Sequence, residues 1–535
     1  MPNTHGTEKI LLYDTTLRDG AQSEEVLFSV SDKLRIAERL DEFGVDFIEG
    51  GWPGANPKDE AFFQDVQRLR LKKSRLVAFG STCRPGNSVE KDVVLAGLLR
   101  AKVSIITLFG KTWDLHVKRV LGISLLENLD LIGQSIMYLK KHVDHVFFDA
   151  EHFFDGYKAN PDYAMKTLLV AGQAGADCLI LCDTNGGSLV REISAITRQA
   201  AVLNVKLGIH CHNDCGLAIA NTLAGVESGA QHVQGTMNGL GERCGNADLT
   251  VIIPNLILKM GCKTSLNSQD LTKLTSTSRF INEIANRPPS RNQPYAGLSA
   301  FAHKGGVHVS AVMKDAQTYE HIRPEAVGNQ QRVLVSDQSG RSNMLYKLKQ
   351  FDIAIEDSKD PRLVQLLEEI KELEYQGYQF DGAEASFELR ARGAFGQIPE
   401  YFKLLSYRVI NEHHEKEDIK DRIGAEATVK VVVGDSQPIH TVAEGDGPVD
   451  ALSTALKKAL GWYYPAIEAI KLVDYKVRIL GGAGSGASVR VLIEWQDVTS
   501  SWATVGVSKH IIAASYDAMV EAMIYKLFKD SKNQD

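Results

Sequence analysis

The segment "DYAMKTLLVAGQAGADCLILCDT" (Asp162–Thr184) joins an amphipathic stretch to a short apolar run, and this combination decides the fold class. Its first half spaces apolar residues three and four apart, which predicts a helix with one buried face. The run "CLILCDT" is apolar at consecutive positions, which is typical of a strand covered on both faces of a parallel sheet. The segment therefore predicts one helix–strand unit of an α/β protein.

The same unit recurs through the N-terminal half of the chain. One of the helical stretches is "SDKLRIAERLDEFG", for which Ser31 and Asp32 predict the start and Gly44 the end. Eight units in about 250 residues predict a (β/α)8 TIM barrel. A doubly wound open sheet is the alternative. The eight strand candidates are "KILLYD", "VDFIEGG", "RLVAFGS", "VSIITLFG", "HVFFDAE", "CLILCDT", "KLGIHCH" and "HVQGTMNG".

The 535-residue chain is too long for one ordinary domain. We predict a TIM-barrel catalytic domain at 1–275, a mainly helical linker region at 276–422 and an α+β regulatory-type domain at 423–535. The last of these contains a weak repeat, "TVAEGDGPVDALSTALKKAL" from Thr441 and "TVGVSKHIIAASYDAMVEAM" from Thr504. The repeat indicates either a pseudo-symmetric domain that binds a small effector or a packing arrangement only.

Composition excludes several classes of function. With 44% hydrophobic residues, 24% charged residues and a net charge of −7, the chain lacks the basic surface of a nucleic-acid or anionic-membrane binder. It has no secretory-type start and no run of about 18 apolar residues. Its seven cysteines are few for this length and odd in number, which favours reduced thiols. We therefore expect a cytoplasmic protein.

Acidic residues lie at or just after the predicted strand ends, where the functional groups of a parallel barrel are found. Burying such groups costs several kcal/mol each unless they are paired or bind a cation. The acidic residues at or just after the strand ends are Asp14, Asp19, Glu49, Asp149, Glu151 and Asp183.

The motif "HCHND" (His210–Asp214) predicts half of a metal site. In a strand, His210 and His212 lie on the same face, roughly 6.6 Å apart, whereas Cys211 points to the opposite face. Histidines that are merely hydrogen-bonded at a strand end are the alternative. Asp19 and Asn246 come from neighbouring barrel units, and this ligand set suits Mn, Mg, Zn or Co.

The loop "GLGERCGNAD" (Gly239–Asp248) follows the last predicted strand. Its three glycines predict positive φ angles or a close approach of the backbone to a ligand. It lacks the order of a dinucleotide-binding fingerprint.

The motifs "DTTLRDGAQ", "HCHND" and "GLGERCGNAD", in this order on a predicted barrel, resemble the family of α-isopropylmalate synthase, homocitrate synthase and citramalate synthase. Hydroxymethylglutaryl-CoA lyase is a relative of this family. The resemblance extends through the linker segment "AFAHKGGVHVSAVMKDAQTYEHIRPEAVGN" to the C-terminal domain. The segment "EGGWPGANPKDEAFF" (Glu49–Phe63) is most similar to the citramalate synthase branch.

The resemblance implies roles for individual residues. It makes Asp19, His210, His212 and Asn246 the metal ligands. It implies that Arg18 polarises the keto oxygen of a bound 2-oxo acid, and that Glu151 and Thr184 contact the substrate. His308, with Tyr319, matches family residues that reach the site from the linker segment. It is one candidate for the base that removes the methyl proton of acetyl-CoA, and Glu151 is the other. For His308 a purely structural role is the alternative.

The expected reaction is a metal-dependent Claisen condensation of acetyl-CoA with pyruvate. A synthase acting on 2-oxoisovalerate or 2-oxoglutarate, or a lyase running the reverse cleavage, remains open. The resemblance also implies a homodimer and an amino-acid effector, isoleucine or leucine, at the C-terminal domain. No nucleic-acid or membrane partner is expected.

Overall fold

The structure, a computed structural model, describes residues 9–337, 339–355, 360–412, 424–481 and 486–532. The chain forms two compact units. The first contains the described residues up to Phe301 together with His321–Gln331. The second contains Ala302–Glu320 and the residues from Arg332 onward.

Eight parallel strands close into a barrel in chain order, with the first strand paired to the eighth. This closure confirms the predicted TIM barrel and rules out the open sheet. The strands are β1 (Leu11–Asp14), β2 (Phe47–Gly51), β3 (Arg75–Ser81), β4 (Ile105–Lys111), β5 (His145–Glu151), β6 (Cys178–Asp183), β7 (Leu207–Cys211) and β8 (Ala230–Gly235).

Helices follow the strands and cover the outside of the barrel. They are α1 (Val30–Phe43), α2 (Pro57–Asp65), α3 (Val93–Arg100), α4 (Asp114–His116), α5 (Leu125–Leu139), α6 (Phe153–Ala159), α7 (Pro161–Gln173), α8 (Val190–Ala200), α9 (Ala218–Glu227), α10 (Leu249–Pro254), α11 (Ser268–Leu271) and α12 (Leu274–Ile284).

The first helix begins earlier than its sequence predicts. Ser29, rather than Ser31, caps α1, because its side chain accepts a hydrogen bond from Asp32 N while the Asp32 carboxylate accepts one from Ser29 N. Gly44 ends the helix as predicted, with a φ of +108°.

The barrel has separate inner and outer cores, as alternation along its strands requires. Inward-facing Tyr13, Phe47, Val77, Phe147 and Cys178 belong to one buried cluster. The outward-facing residues of the same strands pack against the helices in a second, larger cluster. The interior is therefore filled, and the polar residues gather at the carboxyl ends of the strands.

The second unit begins with a mainly helical region, as predicted. A short parallel pair, β9 (Ala302–His303) with β10 (Arg332–Val333), accompanies four helices. The helices are α13 (Gly306–Val312), α14 (Arg341–Gln350), α15 (Pro361–Tyr375) and α16 (Glu384–Ala394).

The C-terminal region consists of two copies of a three-stranded antiparallel sheet followed by a helix. Thr441 Oγ1 donates to Ala455 O at 2.9 Å, and Thr504 Oγ1 makes the equivalent bond to Ala518 O at 2.7 Å. The sequence repeat is therefore a structural repeat. The elements are β11 (Lys403–Glu412), β12 (Gly424–Val432), β13 (Ile439–Gly445) and α17 (Pro448–Leu460), then β14 (Lys471–Leu480), β15 (Ser488–Gln496), β16 (Ser501–Ser508) and α18 (Ile511–Lys532).

The boundary predicted between residues 422 and 423 lies outside the described residues. β11, which precedes it, pairs with β12, which follows it. In the described parts of the chain no single helix is long and apolar enough to cross a membrane. One bent pair of helices, residues 114–121 and 125–139, reaches the length and apolar composition of a membrane span, on these two criteria alone.

Candidate metal centre at the mouth of the barrel

Three ligand-type side chains converge at the carboxyl ends of β1 and β7. One atom each of Asp19, His210 and His212 lie within 4.8 Å of one another, and all three residues are buried. Asp19 Oδ2 is 3.4 Å from His210 Nε2 and 3.8 Å from His212 Nε2. One carboxylate oxygen and two imidazole nitrogens aimed at one point fit a divalent metal ion.

Asn246 adds a fourth atom of ligand type, an amide oxygen, to this group. Its Oδ1 lies 2.9 Å from His210 Nε2, and the backbone of His212 forms a β-bridge with that of Asn246. The glycine-rich loop makes this possible. Gly241 has a φ of +157°, and a Cβ there would lie 2.1 Å from Asn246 Nδ2. The fourth predicted ligand is therefore next to the other three.

The side-chain amide of Gln234, itself bound to Asp149, orients His210. Gln234 Nε2 donates to Asp149 Oδ1 at 3.1 Å, which turns Gln234 Oε1 toward His210 Nδ1 at 2.7 Å. Gln234 Oε1 can only accept, so the Nδ1 of His210 carries the hydrogen and its Nε2 faces the metal position. Asp149 was among the predicted strand-end residues, whereas Gln234, the residue before the last in β8, was not.

The three ligands perturb one another electrostatically. Burial alone would raise the pKa of Asp19, but Arg18 and the two imidazoles outweigh burial and hold that pKa below its ordinary value. Burial lowers the pKa of His210, yet Asp19 raises it to about 9. Burial and His210 lower the pKa of His212 to about 4. A bound metal ion would require the Nε2 of His210 to lose its proton.

Arg18 lies beside this centre and is held from three sides. Its Nε donates to Glu49 Oε1 at 2.6 Å, and its Nη1 donates to Asp19 Oδ2 at 3.1 Å. The guanidinium carbon lies 3.8 Å from the centre of the Phe79 ring. Glu49 is itself fixed, because its Oε2 accepts a 2.5 Å hydrogen bond from Tyr13 Oη. Sequence analysis placed Glu49 at a strand end but gave it no role.

Glu151 and Thr184, for which the resemblance implies contact with the substrate, line the same pocket. Glu151, the last residue of β5, forms an ion pair with Lys111. Thr184, just after β6, accepts a hydrogen bond from His152 N at 2.9 Å, so its hydroxyl hydrogen is available to a ligand.

The pocket has a volume of about 230 Å³ and two chemically distinct sides. The ligand-type residues, Arg18, Glu151 and Thr184 form its polar side. Trp52, Phe79 and Phe109 form an aromatic side, with Phe79 and Phe109 stacked at 5.3 Å between ring centres. Such a pocket suits a small ligand with one polar end and one short apolar end.

His308 and Tyr319 belong to the second unit. Their rings stack at 4.4 Å between centres, which places the two predicted residues together. Their role in the barrel's chemistry stays a prediction.

Three family models match successive parts of the chain. Residues 9–281 match the family model described as HMGL-like. The chain is 54% identical over 525 residues to an (R)-citramalate synthase from Geobacter sulfurreducens, with 98% of each chain covered. This chain belongs to the (R)-citramalate synthase family.

Other similarities agree with this family. An (R)-citramalate synthase from Aquifex aeolicus is 51% identical over 528 residues, which cover 98% of this chain and 99% of the relative. A 2-isopropylmalate synthase from Methanocaldococcus jannaschii is 30% identical over 534 residues, which cover 99% of this chain and 97% of the relative. Residues 296–377 match a homocitrate synthase post-HMGL domain-like model, and residues 381–527 match a LeuA allosteric (dimerisation) domain. The family predicted from three short motifs is confirmed.

Proposed function

We propose that the chain is an (R)-citramalate synthase, which condenses acetyl-CoA with pyruvate and hydrolyses the thioester to give citramalate and CoA. Nearly full-length similarity to (R)-citramalate synthases carries the proposal. The Asp19, His210 and His212 group beside Arg18 supports it, because it supplies the chemistry that a 2-oxo acid needs.

The proposed metal centre activates the 2-oxo acid. A divalent ion held by Asp19, His210 and His212, with Asn246 as a further ligand, would act as a Lewis acid toward the carboxylate and keto oxygens of pyruvate. Mn, Mg, Zn and Co all suit these ligands.

Arg18 stabilises the charge that develops on the keto oxygen. Glu49 and Asp19 occupy its Nε and Nη1, whereas its Nη2 has no hydrogen-bond partner among the described residues. A guanidinium held in this way before the reaction stabilises the forming alkoxide without reorganising. Thr184, whose hydroxyl hydrogen is available, is our proposed donor to the pyruvate carboxylate.

A base must remove a methyl proton from acetyl-CoA so that the resulting carbon nucleophile can attack the keto carbon. We propose His308, with Tyr319 stacked against it, for this step. Glu151, which forms an ion pair with Lys111, is the alternative base. Water then cleaves the thioester, and CoA leaves as the thiol.

The aromatic side of the pocket supports pyruvate over longer 2-oxo acids. The methyl group of pyruvate is the smallest side chain that such a wall can contact. A second carboxylate, as in 2-oxoglutarate, needs a cationic partner. The other cation lining the pocket, Arg243, is already bound by both carboxylate oxygens of Asp214, at 2.7 and 2.9 Å.

The test is a free-thiol assay of CoA release from acetyl-CoA with pyruvate, 2-oxobutyrate, 2-oxoisovalerate and 2-oxoglutarate, each with and without a chelator. We expect release with pyruvate that the chelator abolishes and that added divalent metal restores. Preference for 2-oxoisovalerate or 2-oxoglutarate would instead assign a 2-isopropylmalate or homocitrate synthase. Release that resists the chelator would overturn the metal mechanism.

We further propose that the enzyme works in the cytoplasm as a homodimer, in isoleucine biosynthesis. The match of residues 381–527 to an allosteric dimerisation domain supports dimerisation and regulation. An amino acid, isoleucine or leucine, is the proposed effector at this domain.

A further inference from the structure

Trp52 is the residue of the aromatic side that does not come from a barrel strand. It follows β2 in the loop "GGWPGANP" (Gly50–Pro57). Its indole meets the rings of Phe79 and Phe109 edge-on, at 6.1 and 5.4 Å between centres. The indole therefore joins two stacked phenylalanines into one continuous apolar wall.

A buried ion pair holds the loop that carries Trp52. The Trp52 backbone N donates to Asp59 Oδ2 at 2.9 Å, and Asn56 Nδ2 donates to the same oxygen at 3.0 Å. Asp59 is paired with Lys33, and Lys33 Nζ also donates to Gly50 O at 3.0 Å. Asp59 and Lys33 are both buried. A buried carboxylate with this many partners fixes the backbone around it.

Close packing removes the remaining freedom of the loop. A Cβ at Gly51, whose φ is +144°, would lie 2.4 Å from the Asp59 carboxyl carbon. On the far side of the indole, a Cβ at Gly80 would lie 3.2 Å from Trp52 Nε1. The indole Nε1 thus lies close against β3, which limits how far the indole can move back from the pocket.

We propose that Trp52, held by the Asp59–Lys33 pair, sets the upper limit on the side chain of the 2-oxo acid. The proposal rests on the proposed function, which assigns this pocket to a 2-oxo acid. Trp52 limits the size of the 2-oxo acid side chain by direct contact. Asp59 is a positioning residue that acts through Trp52. Substrates with one or two more carbons than pyruvate then meet a rigid wall.

The test compares kcat/KM for 2-oxobutyrate with kcat/KM for pyruvate. We expect Trp52→Leu to raise this ratio by about tenfold or more, since one methylene in a tight pocket is worth about 10- to 200-fold in discrimination. Trp52→Phe retains an aromatic ring and raises the ratio by less. This variant replaces Trp52→Leu in the test if the leucine variant does not fold. Asp59→Asn removes the charge but keeps the shape, and it raises the ratio in the same direction.

Trp462→Ala is the matched control, because Trp462 is 89% exposed in the second unit. It leaves the ratio unchanged. A Trp52→Leu or Trp52→Phe enzyme that loses activity equally with both acids would overturn the size limit. An Asp59→Asn enzyme with a lower melting temperature and an unchanged ratio would overturn the positioning role. Wild-type enzyme inactive with pyruvate would instead contradict the proposed function itself.

Discussion

At the scale of single residues, alternation along β7 separates His210 and His212 from Cys211. Both histidines face the pocket, whereas Cys211 is buried in the outer core. We expect His212→Ala to lose metal and to lower kcat/KM more than about 100-fold, because the loss of supporting residues alone costs 10- to 100-fold. Metal content after dialysis and the thiol assay measure these effects.

Cys215→Ser is the control for this variant. Cys215 directly follows the "HCHND" motif and is exposed, and we expect the serine enzyme to bind metal normally. If His212→Ala retained one tightly bound ion per chain, the site would have to be assigned elsewhere.

Asp14 makes stability depend on pH. It is fully buried at the end of β1, and burial raises its pKa from 3.8 to about 7, although Thr16 donates two hydrogen bonds to it. The folded state therefore holds a proton that the unfolded state releases above pH 3.8. The stability that this proton provides is complete below pH 3.8 and is lost as the pH rises through 7.

Asp14→Asn removes this dependence. Between about pH 5 and 7 the wild type should lose about 2 to 3 kcal/mol relative to the variant, at about 1.4 kcal/mol per pH unit. Denaturant unfolding at several pH values measures the difference. Parallel stability curves for the two proteins would contradict the assignment of the titration to Asp14.

At the scale of elements, the loop after β8 positions Asn246. Gly241→Ala would place a methyl group against Asn246 Nδ2 and would strain a φ of +157°. We expect kcat/KM to fall at least about tenfold, because a ligand misplaced by 1 Å costs up to 100-fold. The matched control is Gly187→Ala, at a position where a Cβ meets nothing within 4 Å. Equal activities of the two alanine enzymes would show that the loop does not position Asn246.

The sequence predicts the elements of the barrel better than the contacts of its site. Periodicity identified all eight strands, and strand alternation separated His210 from Cys211. These sequence patterns did not identify Gln234 or Phe79. An inward-facing residue near a strand end has the same local pattern whether it packs in the barrel core or supports a ligand. The cap at Ser29 was missed because Ser31 offers the same chemistry two residues later. Three-dimensional contacts decide between such equivalent residues.

At the scale of the whole molecule, the repeat of sheet and helix in the C-terminal region accompanies the match to a dimerisation domain. We expect light scattering to give twice the mass of the chain. Isoleucine or leucine should lower activity and raise the melting temperature, because a ligand that binds only the folded state stabilises it. A monomer at micromolar concentration, or no response to either amino acid, would contradict these two expectations respectively.

The chain passes between the two compact units at three points, after Phe301, after Glu320 and after Gln331. The segment that returns to the barrel unit is integral to it, since Thr275 Oγ1 donates to Val327 O at 2.7 Å and Val327 is fully buried. A single cut after Gln331 would leave every segment of the barrel unit in one piece of chain, but that piece would also carry Ala302–Glu320 away from the rest of the second unit. A single crossover between relatives at this point would therefore give a second unit whose Ala302–Glu320 segment comes from one parent and whose remainder comes from the other.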